Sequence, residues 1–268
     1  MSQVTSKTRR LFKTEMNLDH KMLVRFNDRI ENPSKPLKVV IFGKYNHGKS
    51  TFLNAWLKQD LSKTGDTRVT TQVQSYVDRE NDIIWVDTPG LDADKEDDNQ
   101  ASNMVKEADL VLLVHDAVAG ELDKNEQDFI QQYSASIGKG KIRLLLTKID
   151  QNEANMSQIM DLIEAQIQPL NITIFPLSAI RYQKYMANGG AIWKEKSGFD
   201  ALDADIQKVS LSRNTIRKEA VNLLCNELVQ QLLAEKKRYQ NKIDQLAREK
   251  RTKQRELNRA AKNIFKVI

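Results

Sequence analysis

The chain has 268 residues, 40% of them hydrophobic and 29% charged, and a net charge of +6. That is enough to bury a substantial core, and it excludes wholesale disorder. No apolar run approaches the roughly 20 residues a bilayer span needs, the opening MSQVTSKTRR lacks a hydrophobic signal core, and Cys225 stands alone, so an intrachain disulfide is excluded and a reducing, cytoplasmic home is expected.

Residues 1–34 read as an N-terminal helical arm. Phe12, Met16, Leu23, Phe26 and Ile30 fall at helical spacing, with Leu11 and Met22 alongside. Asn32-Pro33 and Pro36 end the run. Residues 37–210 then alternate between strand and helix patterns. Leu37–Phe42 is a short β-branched run, followed by strand-like segments at Thr71–Val77, Ile83–Val86, Leu110–Val114, Ile142–Leu146 and Ile172–Phe175. Helical patterns cover Ser50–Leu57, Ala101–Glu107, Asp123–Tyr133, Asn155–Gln168 and Phe199–Val209. The stretch Arg181–Gly198, with Gly189-Gly190, reads as a loop. The alternation predicts an α/β domain with a mostly parallel sheet and helices on both faces. Residues 211–268 form the third region, which from about Asn214 lacks Pro and Gly. A continuous helix there would be about 80 Å long.

Gly43-Lys44-Tyr45-Asn46-His47-Gly48-Lys49-Ser50 matches GxxxxGK[ST] between a strand and a helix. That layout lets backbone N–H groups wrap phosphates, Lys49 reach the outer phosphate oxygens and Ser50 ligate Mg²⁺, with Thr51 following at the helix start. Asp87-Thr88-Pro89-Gly90 ends a strand. There a carboxylate can hold Mg²⁺ through water, and the Gly90 amide can sense a γ-phosphate. Thr147-Lys148-Ile149-Asp150 follows another strand, and Asp150 can accept from guanine N1–H and its 2-amino group, donors that adenine lacks. The Lys148 stem can cover the base, and Ser178-Ala179 suits a loop that offers a backbone N–H to guanine O6. His20, His47 and His115 are isolated in sequence and show no metal-ligand spacing. Trp56, Trp85 and Trp193 read as packing residues. The acidic run Asp92, Asp94, Glu96, Asp97 and Asp98 reads as a solvated segment.

These motifs, in this order from Leu37 to Val209, resemble the P-loop GTPases of the Era-like and dynamin-like branch. Gly48 to Ala55 and the threonine in Thr147-Lys148-Ile149-Asp150 resemble small bacterial dynamin-like GTPases. The resemblance implies GTP and GDP as ligands, GTP hydrolysis, and Mg²⁺ held by Ser50, Thr71 and Asp87. It assigns catalysis to Lys49, Thr71 and Gly90. Thr70-Thr71 resembles the switch I pair of these families, with Thr71 the favoured metal ligand. Leu91 stands where Ras-like enzymes place a water-orienting glutamine, so hydrolysis needs another element: switch I, a second G domain, or K⁺ held by Asn46.

The arms are basic. Residues 1–38 carry 9 Lys/Arg against 4 Asp/Glu, residues 235–268 carry 12 against 4, and the middle carries 21 against 28. In the last region Tyr239, Ile243, Leu246, Leu257, Ala261, Ile264 and Ile268 make a narrow stripe interrupted by Lys250 and Lys253. A stripe this narrow suits a hairpin or coiled coil better than membrane insertion. The N-terminal face is expected to pack against Val221, Leu224, Leu228 and Leu232. Two readings stand. One is a dynamin-like switch that assembles through its arms and a G-domain homodimer at the periphery of a membrane. The other is an Era-like assembly factor whose basic tail binds RNA. A nucleotide-binding scaffold with little turnover is a third and weaker one. The protein partner is not readable from the sequence.

Overall fold

In a computed structural model, the described residues are 24, 28, 31, 32, 34–59, 74–88, 104, 105, 107–137 and 140–264. Six strands form one sheet: β1 (Leu37–Gly43), β2 (Gln74–Asp78), β3 (Ile83–Asp87), β4 (Leu110–Asp116), β5 (Ile142–Thr147) and β6 (Thr173–Pro176). Their order is β2-β3-β1-β4-β5-β6. Only the β2–β3 pair among these is antiparallel. The helices are α1 (Lys49–Leu57), α2 (Lys124–Ile137), α3 (Met156–Ile167), α4 (Ala179–Asn188), α5 (Ala191–Glu195), α6 (Phe199–Leu211) and α7 (Arg213–Ile264). Met104, Val105 and Glu107 are also helical.

Strand alternation divides the core into two layers. Val40 and Phe42 of β1 face α2 and α3, where Phe129, Ile130, Ile159 and Ile163 pack. Leu37, Val39 and Ile41 face the opposite layer, with Phe52 and Leu53 of α1 and Phe199, Leu202 and Ile206 of α6. Each strand of the centre is therefore buried on both faces, and β4 is buried along its whole length. The tryptophans divide as well. Trp85 is buried and Trp56 packs against it and Phe199, while Trp193 is partly exposed under the Lys184 ammonium.

The stretch expected as a loop, Arg181–Gly198, is instead helical over α4 and α5. Ser178 caps α4 by accepting from the Arg181 amide. Tyr182 stacks on Phe199, ring centroids 4.1 Å apart. Gly189 and Gly190, both at positive φ, separate two helices rather than marking irregular chain.

The chain forms two compact units, residues 29–223 and residues 1–28 with 224–268. The sheet belongs to the first. Helix α7 runs 52 residues. In its outer part Tyr239, Ile243, Leu246 and Leu257 are all more than half exposed. No described helix is long and apolar enough to cross a membrane. The N-terminal face of Phe12, Met16, Leu23, Phe26 and Ile30 lies outside the described residues, and so does the acidic run after Gly90.

Candidate functional site

An open parallel sheet binds ligands beyond the carboxyl ends of its strands, and the expected site residues that are described collect at that edge. Gly43 ends β1 at φ +148, where a Cβ would stand 2.3 Å from the Val114 carbonyl oxygen. Only glycine lets the strand turn there against β4. The chain then passes through Asn46, at φ +59, to Gly48, which opens α1 at φ +92. Lys49 is buried, and its ammonium donates to the carbonyls of Gly43 (3.0 Å) and Lys44 (2.8 Å). Ser50 and Thr51 follow in the first turn of α1, where backbone N–H groups lack intrahelical partners. This is the geometry of an anion cradle.

Asp87 lies beside it at the end of β3. It is fully buried, and neither carboxylate oxygen has a hydrogen-bond partner among the described residues. Burial pushes its pKa up to about 6; the Lys49 charge and the nearby Thr88 amide oppose the rise. A buried unpartnered carboxylate is costly, and a hydrated divalent cation would remove the cost. The oxygen donors Ser50 and Asp87 therefore fit Mg²⁺, a hard cation that keeps several waters. Thr70, Thr71, Gly90 and Leu91 lie outside the described residues.

The residues expected to read the base also come together. Asp150 follows β5, and its carboxylate accepts from the Ser178 hydroxyl at 2.5 Å, which ties the loop after β5 to the loop after β6. The Ser178 N–H donates to the Ser197 carbonyl, so of the Ser178-Ala179 pair it is Ala179, at the start of α4, whose amide suits a ligand. Lys148, at φ +56, donates to the Asp116 carboxylate (2.5 Å) and to the Asn46 carbonyl (2.8 Å). The Thr147 hydroxyl lies 2.6 Å from the His47 carbonyl and 3.1 Å from that of His115. The loop after β5 thus grips the loop after β1.

One expectation is overturned. His47 and His115 are not isolated: their rings meet edge-on with centroids 5.3 Å apart, and both Nδ1 atoms approach Glu126. Fold topology brings together residues separated by 68 positions, which spacing along the chain cannot reveal. Asp116, Asp123 and Glu126 were also missed. Asp123 and Glu126 carried a readable signal, since Asp-x-x-Glu ahead of an apolar pattern is a capping box, and each side chain does accept from the other's amide.

Residues 38–167 match the family described as 50S ribosome-binding GTPase. An uncharacterized protein of Acinetobacter baylyi is 33% identical over 217 residues, covering 77% of this chain and 51% of that protein. The crystal structure of a variant of Era from Aquifex aeolicus, bound to GDP and AlF₄⁻, superposes with a TM-score of 0.50 at 28% identity, covering 65% of this chain and 56% of that one. A structure from an oligomerised bacterial dynamin pair has a TM-score of 0.55 at 17% identity, covering 98% of this chain and 53% of the other, a likeness of fold. The chain thus spans about half the length of these proteins.

Proposed function

Residues 38–167 are a P-loop GTPase G domain of the Era-like branch, and from that premise we propose that the chain binds GTP and GDP with Mg²⁺, hydrolyses GTP, and acts as a switch that assembles through its helical arms. One observation carries the reading: buried Lys49, buried Asp87 without a hydrogen-bond partner among the described residues, and the Asp150–Ser178 pair sit at one edge of one sheet. Lys49 already spans the loop mouth, so its charge can pass from two carbonyls to phosphate oxygens. Asp150 is oriented by Ser178 to accept guanine N–H donors, and adenine would leave that carboxylate without them. Bound Mg²⁺ would neutralise charge on the phosphate oxygens, held through Ser50, Thr71 and Asp87.

Hydrolysis is proposed to be slow in the isolated chain, because Leu91 cannot orient water. A G-domain homodimer that closes switch I, or K⁺ held by the Asn46 side chain, would supply the missing element. The likeness of fold across 98% of the chain supports assembly through the arms. The similarity to Era supports a second reading, in which the basic outer half of α7 docks on RNA and hydrolysis times release.

Competition titration tests the nucleotide assignment: GTP should displace a labelled guanine nucleotide far better than ATP, and equal affinities would sink it. Single-turnover rates that rise with protein concentration, or with K⁺ over Na⁺ in a manner lost in Asn46→Ala, would support the activation route. Liposome and RNA pull-downs at two salt concentrations separate the two readings, since a contact through the basic arm must weaken with salt.

A further inference from the structure

At the loop after β1, three ligating side chains converge whose chemistry differs from that of the oxygen donors Ser50 and Asp87. His47 comes from the loop, His115 from the end of β4, and Glu126 from the first turn of α2. Their ligating atoms all lie within 4.8 Å of one another. His115 and Glu126 are 1% exposed and His47 is 13% exposed.

Two of the three groups are oriented by a contact on the far side. His115 Nε2 lies 3.0 Å from the Gly120 carbonyl, which can only accept, so Nε2 carries the proton. His115 Nδ1 then faces Glu126 Oε1 at 2.8 Å. Glu126 Oε2 is held by the Asp123 amide at 3.1 Å, which leaves Oε1 to face the histidines. His47 Nδ1 is buried without a hydrogen-bond partner among the described residues and points at the same Oε1 from 3.4 Å. Two imidazole nitrogens converging on one carboxylate oxygen in this way call for a shared cation, a proton or a metal ion. An imidazole that donates its other N–H to a backbone carbonyl is also the usual posture of a metal-ligating histidine.

We propose that His47, His115 and Glu126 form a site for a borderline-soft divalent transition ion, zinc by its ligand chemistry. Two imidazole nitrogens and one carboxylate oxygen suit zinc and do not suit the all-oxygen preference of Mg²⁺. Ligands at about 2.0–2.1 Å from a tetrahedral ion are about 3.3 Å apart. The His47–Glu126 separation of 3.4 Å already matches this. The His115–Glu126 pair must open by about half an ångström from 2.8 Å, within a side-chain adjustment. Because His47 belongs to the loop that would wrap phosphates, the ion would fasten that loop to β4 and α2. Ion and nucleotide would then alter each other's affinity by the same factor.

The test uses the full chain, stripped with a chelator, with and without GDP. Zinc is titrated in competition with a chromophoric chelator, and Co²⁺ is added separately as a spectroscopic probe. The expected result is one zinc per chain, with the intense visible bands of tetrahedral Co²⁺. Affinity should fall at least about tenfold in Glu126→Gln and in His115→Gln and stay unchanged in Cys225→Ser. Should either variant fail to fold, the ring signals of His47 and His115 in the wild-type NMR spectrum decide, since both must shift on zinc addition. No zinc bound by the folded wild type in either nucleotide state, binding indifferent to the folded variants, or unmoved ring signals would overturn the proposal and leave a proton as the shared cation.

Discussion

The two ends of the same sheet handle buried charge in opposite ways. At the amino-terminal edge, Asp109 is buried and both of its oxygens are taken. The Arg217 Nε donates at 3.2 Å and its Nη2 at 2.7 Å, and the Lys38 amide adds a third bond at 3.1 Å. Arg217 Nη2 also donates to the Pro36 carbonyl at 2.8 Å. The charge is neutralised from within, and the root of α7 is fastened to β1 and β4 in the process. At the carboxyl edge, Asp87 is equally buried, yet no described residue donates to it within hydrogen-bonding geometry, and Lys49 donates to two carbonyls. A closed network contributes to stability, whereas a deliberately open one costs stability and keeps a place for a ligand. The contrast predicts that substitutions at the first edge lower stability and that those at the second chiefly alter binding.

The largest expected effect lies at the closed edge. Arg217→Ala should leave the Asp109 carboxylate short of its main partner and cost about 3–5 kcal/mol, read as a drop in the urea midpoint. A change below about 1 kcal/mol would mean that this pair is solvated and that the contrast is false. At the open edge, Asp150→Asn should remove about 2–3 kcal/mol of preference for GTP over ATP, with stability changed little. A competition titration checks it, and an undiminished preference would place base recognition elsewhere.

Asp87→Asn is the sharpest probe of the comparison because the two edges predict opposite signs. A buried carboxylate without a donor resists ionisation, which is why burial raises it to about 6. Replacing it by a neutral isostere should stabilise the nucleotide-free protein by about 1–3 kcal/mol while weakening Mg²⁺-dependent nucleotide binding. Thermal melts with and without Mg²⁺ and GDP read both. A destabilised nucleotide-free variant would show that Asp87 has an internal partner after all.

Much of this was legible in the sequence because the signals were local. The strands β1, β3, β4 and β5 announced themselves as short apolar, strand-like runs. The phosphate loop, Asp87 and the Thr147–Asp150 segment each followed such a run immediately, so motif and element vouched for each other. Long-range side-chain meetings were not legible. Arg217 is 108 positions from Asp109, and nothing around either residue marks it as half of a buried pair. His47 and His115 looked unrelated for the same reason. The misread segment, Arg181–Gly198, failed differently. Its two adjacent glycines suggested a loop, but Tyr182 found Phe199 to stack on, and tertiary packing overrode the local cue.

The smallest expected effect tests whether the open edge is nonetheless pre-shaped. Thr147 stands where its hydroxyl can bridge the His47 and His115 carbonyls, and a Cβ at Gly48 would come within 3.3 Å of that hydroxyl oxygen. Its one proton therefore joins the phosphate loop to β4 without a ligand. Thr147→Val keeps the branched shape but replaces the hydroxyl by a methyl group, leaving carbonyls that must find water in a confined space. The cost should be about 1 kcal/mol if the loop is held in place before nucleotide arrives. GDP affinity should fall by about the same energy, roughly fivefold, because the loop must then be ordered at the moment of binding. Thr147→Ser keeps the hydroxyl and should recover most of both. Equilibrium unfolding and GDP titration of the two variants separate the possibilities. If Thr147→Val loses stability but keeps its GDP affinity, the hydroxyl serves the fold alone and the loop is shaped by its ligand.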